Sequence, residues 1–118
     1  MHYEDVLPID RDELRRALKS NSEGRAAKAV IAVALHDPDW KWAEKQCLNA
    51  LKDPRSDVRA AGVTGLGHIA RIHGRITASV IIPKLEALKA DKSLGGVAED
   101  AIEDILFFAK SANDDVPQ

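Results

Sequence analysis

Aromatic residues are scarce in this chain of 118 residues: five in all, or 4%. With Ala and Leu dominant instead, the composition favours helix over sheet. A single cysteine, Cys47, excludes an internal disulfide and fits a reducing compartment. No apolar run approaches the roughly 18 residues that a membrane span needs. The opening stretch MHYEDVLPID is acidic and holds no signal-like apolar segment. Together these absences lead to the expectation of a soluble cytoplasmic protein without cofactor or metal. Strand patterning is also missing. The short apolar run Ser79–Pro83 is followed directly by KLEALKA, a helix-forming stretch.

What is present is a foldable, charge-polarised chain. Apolar residues at 45% and charged residues at 31% lie outside the compositions of disordered segments, and the length suits one domain. The net charge of −2 hides an uneven distribution. Residues 1–40 carry 6 basic and 8 acidic groups, residues 41–90 carry 9 and 4, and residues 91–118 carry 2 and 7. Such polarity suits recognition of a partner.

Start and stop signals divide the chain into six helices. Asp10 caps the first, with Glu13 at the capping-box position, and it runs to about Lys19. Ser22 caps the second, about 23–36. Asp37-Pro38 reads as a cap followed by a first helical position, opening a third helix over about 38–52. Ser56 caps the fourth, about 57–73, and Gly74 stops it. Thr77 caps the fifth, about 78–90, which Pro83 should kink or restart. The sixth covers about 96–110, and SANDDVPQ (111–118) should be a frayed tail.

One phrase occurs twice. SEGRAA begins at Ser22 and SDVRAA at Ser56, each at the opening of the second helix of a pair. A weaker third copy aligns LGGVAEDAIEDIL with RSDVRAAGVTGLG, matching Val58 to Val97 and Val63 to Ile102. Two helices recurring at periods of about 34–39 residues mark an α-solenoid, in which stacked pairs bury one another's apolar faces. The expected units are about 10–36, 38–73 and 77–110. In the fourth helix a wheel gathers Val58, Ala61, Gly62, Gly65, Ile69 and Ile72 on one side. Each helical glycine costs about 1 kcal/mol against Ala, so Gly62, Gly65 and Gly67 call for a packing or a functional reason.

The stretch LKDPRSDVRAAGVTGLGHIA, Leu51 to Ala70, resembles the HEAT-repeat family, whose second helices often open on an Asp-Val-Arg phrase; here that is Asp57-Val58-Arg59. The first copy has Gly24 in place of the valine, and the last has Ala98 in place of the arginine. The resemblance covers about residues 10–109. It implies a right-handed solenoid that binds other proteins, with Asp57 and Arg59 bonding across neighbouring repeats and Arg25 at the matching place in the first. HEAT-like hydroxylases use His-Glu pairs, which this chain lacks, and HEAT-like DNA glycosylases are larger and more basic. DPDWKWAEKQCLNALKDP followed by GLGHIARIHG is further similar to small bacterial HEAT-like proteins. Some of these are immunity partners that block a toxin delivered by a neighbouring cell.

The sharpest candidate for partner binding is the sixth helix. Its wheel places Val97, Ala101, Ile105 and Phe108 on one side, and Glu99, Asp100, Glu103 and Asp104 with Phe107 on the other. Glu99–Glu103 and Asp100–Asp104 are like-charge pairs at i,i+4, each destabilising by about 0.2–0.5 kcal/mol. Two readings are open: a solvated face paired with Lys84 or Lys89, or a ledge for a basic partner with Phe107 as its apolar anchor. Trp40 and Trp42 lie about 200° apart on one helix, so one is core and the other an edge or an interface residue. His2, His36, His68 and His73 show no metal spacing, His36 suits a helix C-terminus, and Cys47 reads as a buried small hydrophobe. The basic middle, with Lys41, Lys45, Lys52, Arg55, Arg59, Arg71 and Arg75, spreads over several faces without interleaved aromatics, which weighs against nucleic acid. The expectation is a non-catalytic, all-α protein-binding module whose partner is a basic toxin domain of nuclease type. An assembly adaptor and a nucleic-acid-binding module are the alternatives.

Overall fold

Caps written into the sequence set most of the helix starts. The computed structural model describes residues 6–111, and its six helices are α1 (Arg11–Lys19), α2 (Glu23–His36), α3 (Trp40–Ala50), α4 (Ser56–His73), α5 (Ala78–Leu88) and α6 (Gly95–Phe108). The fold is all-α, a short solenoid of helical pairs. Asp10 accepts a hydrogen bond from the Glu13 amide at 2.7 Å and Ser22 one from the Arg25 amide at 3.1 Å, as expected of the first two caps. Gly74 ends α4 in the left-handed region at φ 65°, its amide donating to Ala70 O.

Three helix starts differ from expectation in position or capping, and the third, fifth and sixth helices each end two residues early, at Ala50, Leu88 and Phe108. The third helix starts two residues late, because Asp37 accepts from the Asp39 amide in a local turn and Asp39 makes the cap, to the Trp42 amide at 3.1 Å. Ser56 is the first residue of α4 rather than its cap, and no side chain at its N-cap position Arg55 bonds the first turn. The carboxylate of Glu23, from the preceding pair, accepts from the Asp57 amide instead, at 3.4 Å. Thr77 precedes α5 without capping it by its own hydroxyl. Pro83 lies inside α5, which continues through it, and the Ser79 carbonyl that loses its donor is on an exposed residue.

The sequence shows no strand, yet a two-residue strand β1 (Arg75–Ile76) pairs in parallel with β2 (Lys110–Ser111). This pairing ties the α4–α5 connection to the chain that leaves α6, with Ile76 fully buried. Ser111 therefore belongs to β2. The rest of the expected tail, like His2, lies outside the described residues.

Packing gives the solenoid its two faces. α1 packs on α2, α3 on α4 and α5 on α6, while α2, α4 and α6 lie side by side. The first helices of the pairs, α1, α3 and α5, hardly touch one another. The row α2–α4–α6 closes tightly because its facing residues are small. α4 is the centre, buried from Ala61 to Ala70 except at half-buried Thr64. A Cβ on Gly62 would meet the Cys47 backbone oxygen at 2.7 Å, and one on Gly65 the Cys47 sulfur at 2.6 Å. Gly62 and Gly65 are thus the condition for α4 to lie against α3, while Gly67 faces Ala101 and Asp104 of α6. Ile72, expected on the packed side, is instead 48% exposed, because the contact ends before the last turn of α4.

The pairs are also joined end to end by side chains. Arg55 donates to the carbonyls of Ser20 and Leu18, both at 3.0 Å, closing the C-terminus of α1, and its guanidinium is held by both oxygens of Asp53 at 2.9 Å. That pair holds the Asp53 carboxyl below its ordinary range. Arg59, given a cross-repeat role by the family resemblance, bonds the Asp53 and Pro54 carbonyls of its own pair's loop. The bond across pairs at Asp57 is made by its backbone amide. Arg25 is exposed, lining a cleft beside α1.

Candidate protein-binding surface

The row α2–α4–α6 presents a trough whose floor is written at one spacing. Gly24, Ala27 and Ile31 on α2, Asp57, Ala60 and Thr64 on α4, and Val97, Asp100 and Asp104 on α6 each stand at i, i+3 and i+7. That spacing puts each trio on one side of its helix. Two adjoining clefts result, of about 320 and 240 Å³, sharing Thr64 and Val97. On that floor Ala27, Ala60, Thr64 and Val97 are small and half-buried and Ile31 is buried, and one edge is acidic.

That edge is the helix face predicted to bind a partner. Glu99, Asp100 and Glu103 are exposed, and Asp104 is half-buried. Among the described residues no ion pair involves Glu99, Asp100 or Glu103. Lys89 pairs with Glu86 on its own helix, and Lys84 faces a different groove, so neither neutralises the face. Asp104 alone has a cation, Arg71 of α4, at 3.9 Å. Phe107 is 81% exposed and packs edge-on against Phe108, ring centroids 4.7 Å apart. Leu106 beside it is also exposed. Phe108, expected on the buried side of α6, is 45% exposed, and Ile102 takes the buried place.

Below the acidic edge lies a histidine that the sequence left unassigned. His68 is buried, its Nδ1 accepting a close hydrogen bond from the Arg71 guanidinium. Burial, and then the adjacent Arg71 charge, lower its pKa to about 4. The ring is therefore neutral at pH 7, and Arg71 bridges it to Asp104.

The two tryptophans belong to another part of the molecule. Both are half-buried against the core rather than one in and one out. Arg11 lies over the Trp42 ring at 3.9 Å and bridges to Asp37 and Asp39, while Lys41 lies over Trp40 at 5.7 Å. α4 packs on both α3 and α6, which hardly touch each other. Trp40 and Trp42 therefore stand on a helix separated by α4 from the one that carries the carboxylates.

Groups with other chemistry are placed structurally. His36 Nε2 donates to the Val6 carbonyl at 2.6 Å, fixing the segment before α1. Cys47 is fully buried, and burial together with nearby Glu44 pushes its thiol up to about 12. Glu44, unremarked in the sequence, is 8% exposed and accepts from both the amide and the hydroxyl of Thr77. Among the described residues no three His, Cys, Asp or Glu come together as a metal site, and no helix is long and apolar enough to cross a membrane.

The chain is similar to a chain in the crystal structure of a CDI complex from Cupriavidus taiwanensis LMG 19424. The two share 28% sequence identity at a TM-score of 0.78, over 92% of this chain and 96% of that one. The likeness thus extends along nearly the whole of both chains. No protein-family model matches the chain, and no curated protein sequence does.

Sequence reasoning found the acidic face but missed its floor. The signal was present as the i, i+3, i+7 trios. It is hidden in a search for buried faces because Ala27, Ala60, Thr64 and Val97 are only half covered.

Proposed function

We propose that this chain is an immunity protein that binds a contact-delivered bacterial toxin and blocks it, built on HEAT-like helical pairs. Support comes from near-full-length likeness to a chain of a CDI complex. The surface that carries the reading is the α6 edge, with three carboxylates that form no ion pair among the described residues, beside a trough of small residues, and with exposed Phe107 at its end. Carboxylates on a packed helix offer a pre-formed anionic surface, so binding orders few groups. A toxin that acts on nucleic acid must present cations to phosphate, and such a surface fits this edge. Binding rather than catalysis is the proposed mode of action.

The test is an affinity capture from the native cell using the wild-type chain beside Glu99→Lys/Glu103→Lys. The expected result is one small basic protein in stoichiometric amount. It is lost with the variant, and it is toxic when expressed without this chain. Capture of large assemblies, or of nucleic acid alone, overturns the reading in favour of an adaptor or a nucleic-acid-binding module. Retention of the same toxin by the variant moves the interface off α6.

A further inference from the structure

We infer a second, separate binding site: the groove between α3 and α5 receives an acidic amphipathic helix of a protein partner. Four of the cations in the sequence's basic middle are occupied elsewhere. Arg55 closes the C-terminus of α1, Arg59 bonds carbonyls of the α3–α4 loop, Arg71 bonds His68, and Lys41 lies over Trp40. Lys45 and Lys52, joined by Lys84, converge instead on one groove of about 430 Å³, roomier than either cleft of the trough.

The groove exists because the first helices of the pairs stand apart. α3 packs on α4 and α5 on α6, yet α3 and α5 hardly touch. Leu48, Leu51 and Leu88, each half-buried, line the gap. The three lysines are exposed at its rim, and among the described residues no acidic one lines it. Among the described residues no ion pair involves Lys45, Lys52 or Lys84. Lys45 and Leu48 stand at i and i+3 on α3, with Leu51 and Lys52 in the turn just past its end, and Lys84 and Leu88 stand at i and i+4 on α5, so both walls carry cations and leucines.

Charge complementarity and the leucine lining select the occupant. An amphipathic helix with apolar side chains at i, i+3 or i+4 and carboxylates on both flanks places its anchors between the leucines and its acids on the lysines. A nucleic acid would leave the leucines uncovered and finds here neither an arginine fork nor an aromatic on which to stack. This site is independent of the toxin reading, because it lies on the side of the solenoid away from the α6 edge.

The test uses the free chain and synthetic probes. A small set of labelled helical peptides of about four turns, with Leu at i,i+3 or i,i+4 and flanking Glu, is titrated by fluorescence anisotropy. Controls are the same peptides with Leu replaced by Ser, and a labelled oligothymidylate. The expected result is saturable binding of a Leu/Glu peptide. It should weaken at least about tenfold for Lys45→Glu/Lys84→Glu and stay unchanged for Glu99→Lys/Glu103→Lys. Circular dichroism checks that both variants are folded. The proposal is overturned if no Leu/Glu peptide binds, if the Ser peptides bind equally well, or if the oligothymidylate binds more tightly. It is also overturned if light scattering shows the groove taken by the α6 edge of a second copy.

Discussion

Glu44 and Thr77, 33 positions apart, are joined by two hydrogen bonds: Glu44 Oε1 accepts from the Thr77 amide at 2.6 Å and Oε2 from its hydroxyl at 2.9 Å. A carboxylate from the middle pair therefore stands at the start of α5, where the helix dipole favours negative charge. Glu44→Ala leaves a half-buried amide without its acceptor and is expected to destabilise the chain by about 1–3 kcal/mol. Glu44→Gln, which keeps one acceptor oxygen, is expected to lose less than half of that. Urea unfolding of the three proteins measures the difference.

The contact of Gly65 with Cys47 predicts a coupled pair. Gly65→Ala drives a Cβ toward the Cys47 sulfur and should destabilise by about 1–3 kcal/mol despite alanine's better helix propensity. Adding Cys47→Ala removes the obstructing sulfur, so the double variant should recover part of the loss. Gly62→Ala meets a backbone oxygen, and Cys47→Ala should not rescue it. A loss for Gly65→Ala that is additive with Cys47→Ala would contradict the packing account.

His68 gives the fold a dependence on mild acid. Its folded pKa of about 4 lies below the ordinary 6.5, so the unfolded chain binds the proton more readily. The stabilising contribution is complete above about pH 6.5, declines as the pH falls towards 4, and is flat below that. Asp100 and Asp104 line the same cleft, but burial and Arg71 outweigh them. Urea midpoints of wild type should fall between pH 7.5 and 4.5, and His68→Gln should flatten that part of the profile.

Cys47 should be unreactive in the folded chain. Fully buried and with its pKa raised to about 12, it offers almost no thiolate at neutral pH. Labelling by a thiol reagent at pH 8 is expected to proceed only through unfolding, and so to accelerate with urea in step with loss of helical circular dichroism. Rapid labelling without denaturant would contradict that placement.

The α6 face should separate stability from function. Glu103→Lys removes a like-charge neighbour of Glu99 and sets a favourable i,i+4 pair in its place, stabilising by about 0.5 kcal/mol. The same substitution should weaken capture of a basic partner. A variant that is both more stable and weaker in binding would show that the carboxylate is kept at the fold's expense. Thermal unfolding and the capture experiment read the two effects separately.

The sequence by itself determined the helices and their pairing. Asp10, Ser22 and Gly74 act within a few residues of their own helix, and the twice-written phrase marks the second helix of a pair because that helix meets the same local surroundings each time. It also placed the acidic residues on one helix, since charge and a 3.6-residue period are local properties. Only the tertiary structure decided what lies between pairs. Glu23 reaches α4, Glu44 reaches α5 and Arg55 reaches α1 across 33 to 37 positions, distances at which no periodicity connects donor to acceptor. The absence of lysine partners for Glu99, Asp100 and Glu103 among the described residues, the placing of Trp40 and Trp42 on a different helix, and the gathering of Lys45, Lys52 and Lys84 around one groove were settled in the same way. Each depends on which helices pack and which stand apart, and that follows from the fit of glycine and alanine surfaces along α4.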